Sequence, residues 1–140
     1  KKSGQIVTNT SLMGKFSSKK RSVYAGAKHA LHGFIDALRA EVYQHNIKVN
    51  IVAPGYVNTE VGIKALVEDG ASYGKNDRGH DSKGMKVEKA AKIIINAIRK
   101  NKREILVIPT FSILMIASLL SRFLPGIGAI VARNFDEDKQ

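Results

Sequence analysis

Short runs of β-branched and apolar residues alternate with longer segments of helical periodicity, and this alternation restricts the fold more than any other feature of the chain. The pattern predicts strands over residues 5–9, 47–53 and 104–108. It predicts helices over residues 22–43 and 87–100. Strands that alternate with helices form a parallel sheet with helices packed on its faces. The chain is therefore expected to be an α/β protein.

The first predicted helix begins with residues that can transfer a proton. Tyr24 and Lys28 are four positions apart, so one face of the helix presents both side chains. An ammonium close to a phenol favours the phenolate, and such a tyrosine can exchange a proton with an alcohol oxygen near neutral pH. Ser11 follows the first strand, at the edge where parallel sheets place ligands. Its hydroxyl is suited to hold a substrate oxygen as charge develops there.

The spacing Tyr-x-x-x-Lys is also common on ordinary exposed helix faces, so the pair alone does not identify a site. Its surroundings favour a site: Gly14 lies three residues after Ser11, and Pro54-Gly55 ends the second predicted strand. The helix itself has an apolar side made of Ala27, Leu31, Phe34, Ile35, Leu38 and Val42.

Taken together, residues 6–14, 24–31 and 49–59 resemble the short-chain dehydrogenase/reductase family, and residues 29–34 resemble a membrane-associated subgroup of it. The resemblance implies a Rossmann-like, doubly wound parallel sheet in three αβα layers. This chain would supply its C-terminal part, and the dinucleotide-binding half with its glycine-rich turn would precede residue 1. One departure is that the family often has Ser-Ser where this chain has Thr10-Ser11.

The resemblance also implies roles for individual residues. Tyr24 would be the general acid/base, Lys28 would assist it and bond the nicotinamide ribose, and Ser11 would orient the substrate oxygen. The substrate site would comprise Ser11, Tyr24 and Tyr56, although chance packing explains Tyr56 almost as well. The coenzyme, NADP(H) in preference to NAD(H), would contact a larger set of residues: Tyr24, Lys28, Pro54, Gly55, Val57 and Thr59.

The implied reaction is NAD(P)(H)-dependent interconversion of a secondary alcohol and a ketone, on a lipophilic substrate such as a steroid, retinoid or lipid ketone. The alternative is a non-catalytic relative that acts only as a dimerisation or membrane-associated module. Such a relative would be expected to lose Ser11, Tyr24 or Lys28, and all three are present. The family also implies a homodimer through the helix that starts near Tyr24.

Two further regions have distinctive compositions. Residues 59–84 contain five glycines and many polar side chains, which is typical of a substrate lid on a catalytic part that spans residues 1–109.

Residues 105–121 contain no charged side chain. The apolar segment is shorter than the roughly 20 residues of a membrane-spanning helix. We therefore expect residues 110–131 of the 110–140 segment to contact a membrane surface, at the endoplasmic reticulum by resemblance, rather than only to cover the core or a dimer.

The remaining composition excludes several classes of function. The net charge is +11, but the basic residues are spread along the chain and no basic helix carries interleaved aromatics, so nucleic-acid binding is not expected. The chain has no cysteine, which excludes disulfides and cysteine-ligated metals within it. His29 and His32 are close enough in sequence to share a metal, but neither a nearby carboxylate nor the family supports this, so no metal is expected.

Overall fold

The computed structural model describes residues 3–61, 64, 84–108, 124 and 126. Within them the chain forms a parallel sheet and two α-helices, connected in part by two short 3-10 turns. In chain order the elements are β1 (Gly4–Asn9), the 3-10 turn Leu12–Gly14, α1 (Ser22–Glu41), the 3-10 turn Tyr43–His45, β2 (Ile47–Pro54), α2 (Val87–Arg99) and β3 (Glu104–Val107).

The five predicted elements are confirmed, with ends that differ by at most two residues. The largest difference is at the end of α1, which stops at Glu41 although the pattern predicts a helix as far as residue 43. The chain there tightens into a 3-10 turn that ends at Asn46, whose φ of 54° is left-handed. Asparagine tolerates this conformation better than most residues, so Asn46 turns the chain from α1 into β2.

The three strands pair in the order β1-β2-β3, and both pairs are parallel. The register places Ile6 of β1 opposite Val49 of β2, and Ile51 of β2 opposite Glu104 of β3. β2 lies in the middle with a strand on each side, and helices pack on both of its faces, so every residue from position 49 to 53 is buried. A strand of this kind is expected to be almost continuously apolar, as β2 is.

The two helices cover opposite faces of the sheet. Ile35 of α1 packs with Val49 and Ile51 of β2. Val52 belongs to a separate cluster that includes Ala90 and other residues of α2, together with β3. Successive side chains of a strand point to opposite faces. The fold is thus three layers, α1 over the sheet over α2, which confirms the predicted α/β architecture.

The predicted apolar side of α1 wrongly includes two residues, Phe34 and Ala27. Phe34 is 62% exposed and Ala27 is also exposed, whereas Ala25, His32 and Ile35 are buried. A residue next to Ile35 in sequence is turned about 100° around the helix axis. The side of α1 that faces the sheet therefore leaves Phe34 on the outside.

Parts of two predicted regions lie outside the described residues. Of the predicted lid at 59–84, the structure describes residues 59–61, 64 and 84, and of the segment at 110–140 it describes residues 124 and 126. No helix in the described part of the chain is both long and apolar enough to cross a lipid bilayer.

A buried asparagine joins the strands at the end of the sheet opposite the carboxyl termini of β1 and β2. Asn50 is fully buried, and its Nδ2 donates to the carbonyl of Lys102 at 2.7 Å and to Asn101 Oδ1 at 3.3 Å. Its Oδ1 accepts from Gln5 Nε2 at 2.8 Å. The amide thus links β1, β2 and the turn between α2 and β3.

Replacing Asn50 by alanine is expected to lower the free energy of unfolding markedly, because the three hydrogen bonds of a fully buried amide would be lost, at about 0.5–1.5 kcal/mol each. Urea unfolding of the full polypeptide that carries these residues measures the change. The matched control is Asn96→Ala on the exposed side of α2. Equal losses in the two variants would contradict the role of Asn50.

Candidate active site

Ser11 lies immediately beyond the carboxyl end of β1 and begins the turn Leu12–Gly14. Its backbone is extended, with φ −161° and ψ 161°, and its Oγ accepts a hydrogen bond from Met13 N at 3.1 Å. The carbonyl of Ser11 accepts a second bond from Gly14 N at 3.0 Å. The side chain is half-buried. Two hydrogen bonds therefore define how Ser11 enters its turn.

Thr10, just before Ser11, is tied to two other elements. Its backbone N donates to the carbonyl of Val52 in β2 at 2.7 Å, which continues the β1–β2 pairing past the end of the strand. Its Oγ1 lies 2.7 Å from Nε2 of His32 in α1. Thr10 and His32 are both buried. The chain is thus anchored to the sheet and to α1 directly before Ser11.

Tyr24 and Lys28 lie in the first turns of α1, and their side chains are in contact. Lys28 Nζ is 5.5 Å from the centroid of the Tyr24 ring, within the range of a cation–π interaction. Tyr24 is 45% exposed, and Lys28 is half-buried. The predicted placement of the pair on one face of the helix is confirmed. Their catalytic roles stay predictions.

The turn that follows Ser11 packs directly on the turn of α1 that contains Lys28. A Cβ added at Gly14 would lie 2.9 Å from the carbonyl oxygen of Lys28 and 2.6 Å from Nε2 of His32. Real Cβ atoms do not approach other atoms so closely, so a larger residue would push the two elements apart. The glycine at position 14 therefore sets the separation between the Ser11 turn and α1.

The segment after β2 is held at the same end of the sheet. Gly55 N donates to the carbonyl of Val107 at 3.1 Å, and a Cβ at Gly55 would lie 2.9 Å from Ile108 Cγ2. Met85 N donates to the carbonyl of Tyr56, and Asn58 N donates to the carbonyl of Met85, each at 2.9 Å. These bonds fix residues 54–58 between β3 and the start of α2.

The predicted coenzyme and substrate residues in this segment differ in exposure. Tyr56 and Val57 are half-buried, and Thr59 is exposed. Ser11 lies just beyond the carboxyl end of β1, and residues 54–59 begin at the last residue of the neighbouring strand β2. Ligands of open α/β sheets bind at the carboxyl ends of the strands. The fold therefore gathers the predicted residues at one edge of the sheet.

His32 is a candidate for a role in the site other than the metal binding that the sequence analysis considered for it. It is 7% exposed, and burial lowers the pKa of its imidazole, with the positive charge of Lys15 acting in the same direction. The carboxylates of Glu104 and Asp36 oppose this shift. Among the described residues His32 belongs to no group of three or more side chains that could hold a metal. The one signal in the sequence was its position, four residues after Lys28.

Gly14→Ala is expected to lower the free energy of unfolding by about 1–3 kcal/mol, the usual cost of overpacking a close contact. Gly33→Ala is the matched control, since a Cβ at that exposed helical position would meet nothing within 4 Å. Alanine there should raise stability by roughly 0.5–1 kcal/mol through helix propensity. Thermal or urea unfolding of both variants distinguishes the two signs, and a stabilising Gly14→Ala would contradict the close packing.

The chain is similar to a family of enzymes and to two named groups of relatives. The family model described as short chain dehydrogenase matches residues 1–69. The dehydrogenase/reductase SDR family protein 7-like of Anopheles gambiae is 41% identical over 109 residues, which are 78% of this chain and 34% of that protein. Member 7B of Rattus norvegicus is 35% identical over 142 residues, covering 99% of this chain and 43% of that protein. The chain thus spans less than half the length of these relatives.

Two solved structures have a similar fold. A short-chain dehydrogenase from Streptomyces avermitilis superposes with a TM-score of 0.63 at 25% identity, over 93% of this chain and 49% of that chain. A short chain dehydrogenase from Burkholderia cenocepacia in complex with NADP gives a TM-score of 0.68 at 17% identity, over 93% of this chain and 46% of that chain. Both likenesses agree with the parallel sheet between two helical layers.

The subgroup of the family that residues 29–34 of α1 resemble is that of the member 7B-like proteins, and these relatives confirm the similarity. The family model and the solved structures agree with the parallel sheet of the chain, and the family model also agrees with the presence of the Tyr24–Lys28 pair. The chain belongs to the short-chain dehydrogenase/reductase family.

Proposed function

We propose that the polypeptide carrying this chain is an NAD(P)(H)-dependent oxidoreductase that interconverts a secondary alcohol and a ketone. The observation that supports this best is the position of Lys28 Nζ, 5.5 Å from the Tyr24 ring centroid, next to the turn that carries Ser11. A half-exposed phenol beside an ammonium can both reach a substrate and pass a proton to or from its oxygen. Hence Tyr24 is the general acid/base of the proposed reaction.

Ser11 is suited to orient the substrate oxygen. A serine hydroxyl has one proton to donate and two lone pairs. One lone pair of Ser11 Oγ accepts from Met13 N, which leaves the proton available for a substrate carbonyl. A donor held in place before the reaction costs no reorganisation when charge develops on that oxygen. Ser11 and Tyr24 would thus hold the same oxygen from two elements.

The chemistry of the described residues fits the nicotinamide end of the coenzyme. The ribose hydroxyls and the carboxamide both need hydrogen-bonding partners, and Lys28, Val57 and Thr59 offer an ammonium, a backbone amide and a hydroxyl. Pro54 and Gly55 would pack beside the ring. The bound coenzyme supplies the hydride, which no side chain can supply. Residues of this chain hold it and move the proton.

NADPH-linked reduction of a lipophilic carbonyl is the specific form that we propose. It is supported by the similarity to member 7B proteins and by the resemblance of residues 29–34 to a membrane-associated subgroup of the family. The solved dehydrogenase of Burkholderia cenocepacia is in complex with NADP. Tyr56, half-buried after the end of β2, would line the substrate pocket with Ser11 and Tyr24. Residues 59–84 would form the lid, and residues 110–131 a contact with the endoplasmic reticulum membrane.

With NADPH and a panel of steroid, retinoid and lipid ketones, Tyr24→Phe in the full polypeptide should lower kcat/KM by about 100- to 10,000-fold, the usual contribution of a general acid. Ser11→Ala and Lys28→Met should also lower it. Tyr43→Phe and Lys48→Met, at exposed positions away from the site, are the controls. Turnover that survives in Tyr24→Phe would disprove the assignment and favour the non-catalytic alternative.

We also propose that α1 forms a homodimer interface. Its outer side carries Val23, 86% exposed, and Phe34, 62% exposed. Eleven residues separate them, which brings them to the same side of the helix. Ala27, Ala30 and Ala37 lie exposed on that side as well. An exposed apolar stripe of this size indicates a protein contact, and the alanines allow a second helix to approach closely.

Phe34→Asp should convert the dimer to a monomer, because it places a charge at the centre of the proposed contact. Sedimentation velocity of the full polypeptide measures the change. Tyr43→Asp, at an exposed position beyond the end of α1, is the matched control and should leave the mass unchanged. An unchanged mass for Phe34→Asp would rule out this interface.

A further inference from the structure

A buried histidine continues the line of residues that contains the proposed proton-transfer pair. Tyr24, Lys28 and His32 follow one another at four-residue intervals, so they lie along one side of α1. Exposure decreases along this line, from 45% at Tyr24 through the half-buried Lys28 to 7% at His32. The line therefore runs from the solvent-accessible end of the site into the interior.

The imidazole of His32 contacts the chain on both sides of Ser11. On one side, Nε2 is 2.7 Å from the hydroxyl of Thr10, the residue before Ser11. On the other side, the ring packs on Gly14, where an added Cβ would lie 2.6 Å from Nε2. Ser11 thus occupies a short segment whose two ends are both fixed against the same ring.

The hydroxyl of Thr10 has one proton and three acceptors in reach. The carbonyl of Val52 is 3.2 Å away and that of Ser11 is 3.5 Å away, whereas His32 Nε2 is 2.7 Å away. Both carbonyls already accept backbone hydrogen bonds, from Thr10 N and Gly14 N respectively. We infer that the hydroxyl donates along its shortest contact, to Nε2, which requires a neutral imidazole with its proton on Nδ1.

We propose that His32 is a positioning residue for the reaction: its neutral imidazole, by accepting the Thr10 hydroxyl and packing on Gly14, holds Ser11 at the correct place relative to Tyr24 and Lys28. This inference rests on the proposed function, because it concerns how Ser11 is presented to a substrate. Protonation of the ring would turn Nε2 into a donor and force the Thr10 hydroxyl to turn toward a carbonyl. The Thr10–His32 hydrogen bond would then run in the opposite direction, and a buried positive charge would lie beside the residue that precedes Ser11.

The charged and titratable groups around His32 come from three elements. Lys15 lies after the Leu12–Gly14 turn, Glu104 begins β3, and His29 and Asp36 lie on α1. Lys15 Nζ and Glu104 Oε1 form an ion pair at 2.6 Å. Burial, followed by Lys15, keeps the pKa of His32 below its ordinary value of 6.5, and the two carboxylates only partly offset this.

The direction of the pH effect follows from that lowered pKa. Well above pH 6.5 the ring is neutral in both the folded and the unfolded chain, so the hydrogen bond is intact and no proton is taken up on unfolding. As the pH falls below 6.5, the unfolded chain takes up a proton first, so the free energy of unfolding decreases. Below the folded pKa the ring is charged in both states, and the positioning bond is reversed, with Nε2 as its donor.

Kinetics in the full polypeptide, with NADPH and the most rapidly reduced ketone of the panel, test the proposal. Thr10→Val and His32→Leu should lower kcat/KM for the ketone by about 10- to 100-fold, the cost of a small misplacement. KM for NADPH should not change. Thr10→Ser, which keeps the hydroxyl, should restore turnover. In a Ser11→Ala background neither Thr10→Val nor His32→Leu should cause a further loss, since both act through Ser11.

The pH dependence and the state of the ring provide readouts that a purely structural role would not change. The wild-type rate should fall on the acid side of pH 6.5, and this limb should disappear in Thr10→Val. His45→Gln, at an exposed position, is the control and should keep it. The ¹⁵N spectrum of labelled histidine should show the His32 ring neutral and protonated on Nδ1 at neutral pH, and Thr10→Val should alter it.

The outcomes distinguish failure of the positioning role of His32 from failure of the proposed function. If Ser11→Ala and Tyr24→Phe retain full turnover, the proposed function fails. If they do not, but Thr10→Val and His32→Leu lower kcat/KM equally with and without Ser11, the positioning role is wrong. Where His32→Leu fails to fold, the near-isosteric Thr10→Val carries the test, and full turnover in that variant would overturn the proposal. A ring protonated at neutral pH would also overturn the proposal.

Discussion

The close packing of the Leu12–Gly14 turn on α1 determines the geometry of the whole site. At Gly14 the backbone of the turn approaches the carbonyl of Lys28 and the ring of His32 so closely that there is no space for a Cβ. Two consecutive elements of the chain are therefore held at a fixed separation. Ser11 belongs to one of them, and the Tyr24–Lys28 pair belongs to the other. The relative position of hydroxyl, phenol and ammonium thus depends on a backbone contact.

The central strand β2 supports both sides of this arrangement. The carbonyl of Val52 accepts from Thr10 N, which fixes the entry to Ser11, and Gly55 follows the end of the same strand. At the opposite end Asn50 ties β2 to its neighbours through buried hydrogen bonds. Loops of varied sequence can follow a strand whose central residues are buried, and in parallel sheets functional groups therefore lie in the loops at the carboxyl ends of the strands. The rigidity of β2 is therefore a property of the site as well as of the core.

The sequence predicted local features better than tertiary ones, and two residues of α1 show why. Periodicity locates the helix, and the spacing of Tyr24 and Lys28 places them on one side of it. Periodicity does not tell a residue that packs on the sheet from one on an outer apolar stripe, so Phe34 was wrongly included with the inner side. The burial of His32 was missed for the opposite reason. A polar residue becomes buried here because Thr10, 22 residues away, offers a hydrogen bond, and no local pattern contains that information.

The Thr10–His32 hydrogen bond also offers a physical reason for threonine, rather than serine, at position 10. The family resemblance leads us to expect serine at this position, where the chain has Thr10, and both residues offer a hydroxyl. A threonine side chain is β-branched, so its χ1 angle is more restricted than that of serine. In a buried site this restriction keeps Oγ1 directed at His32 Nε2 and leaves less freedom to lose when the bond forms. The substitution therefore suits a chain in which the residue before Ser11 is anchored to an imidazole of α1.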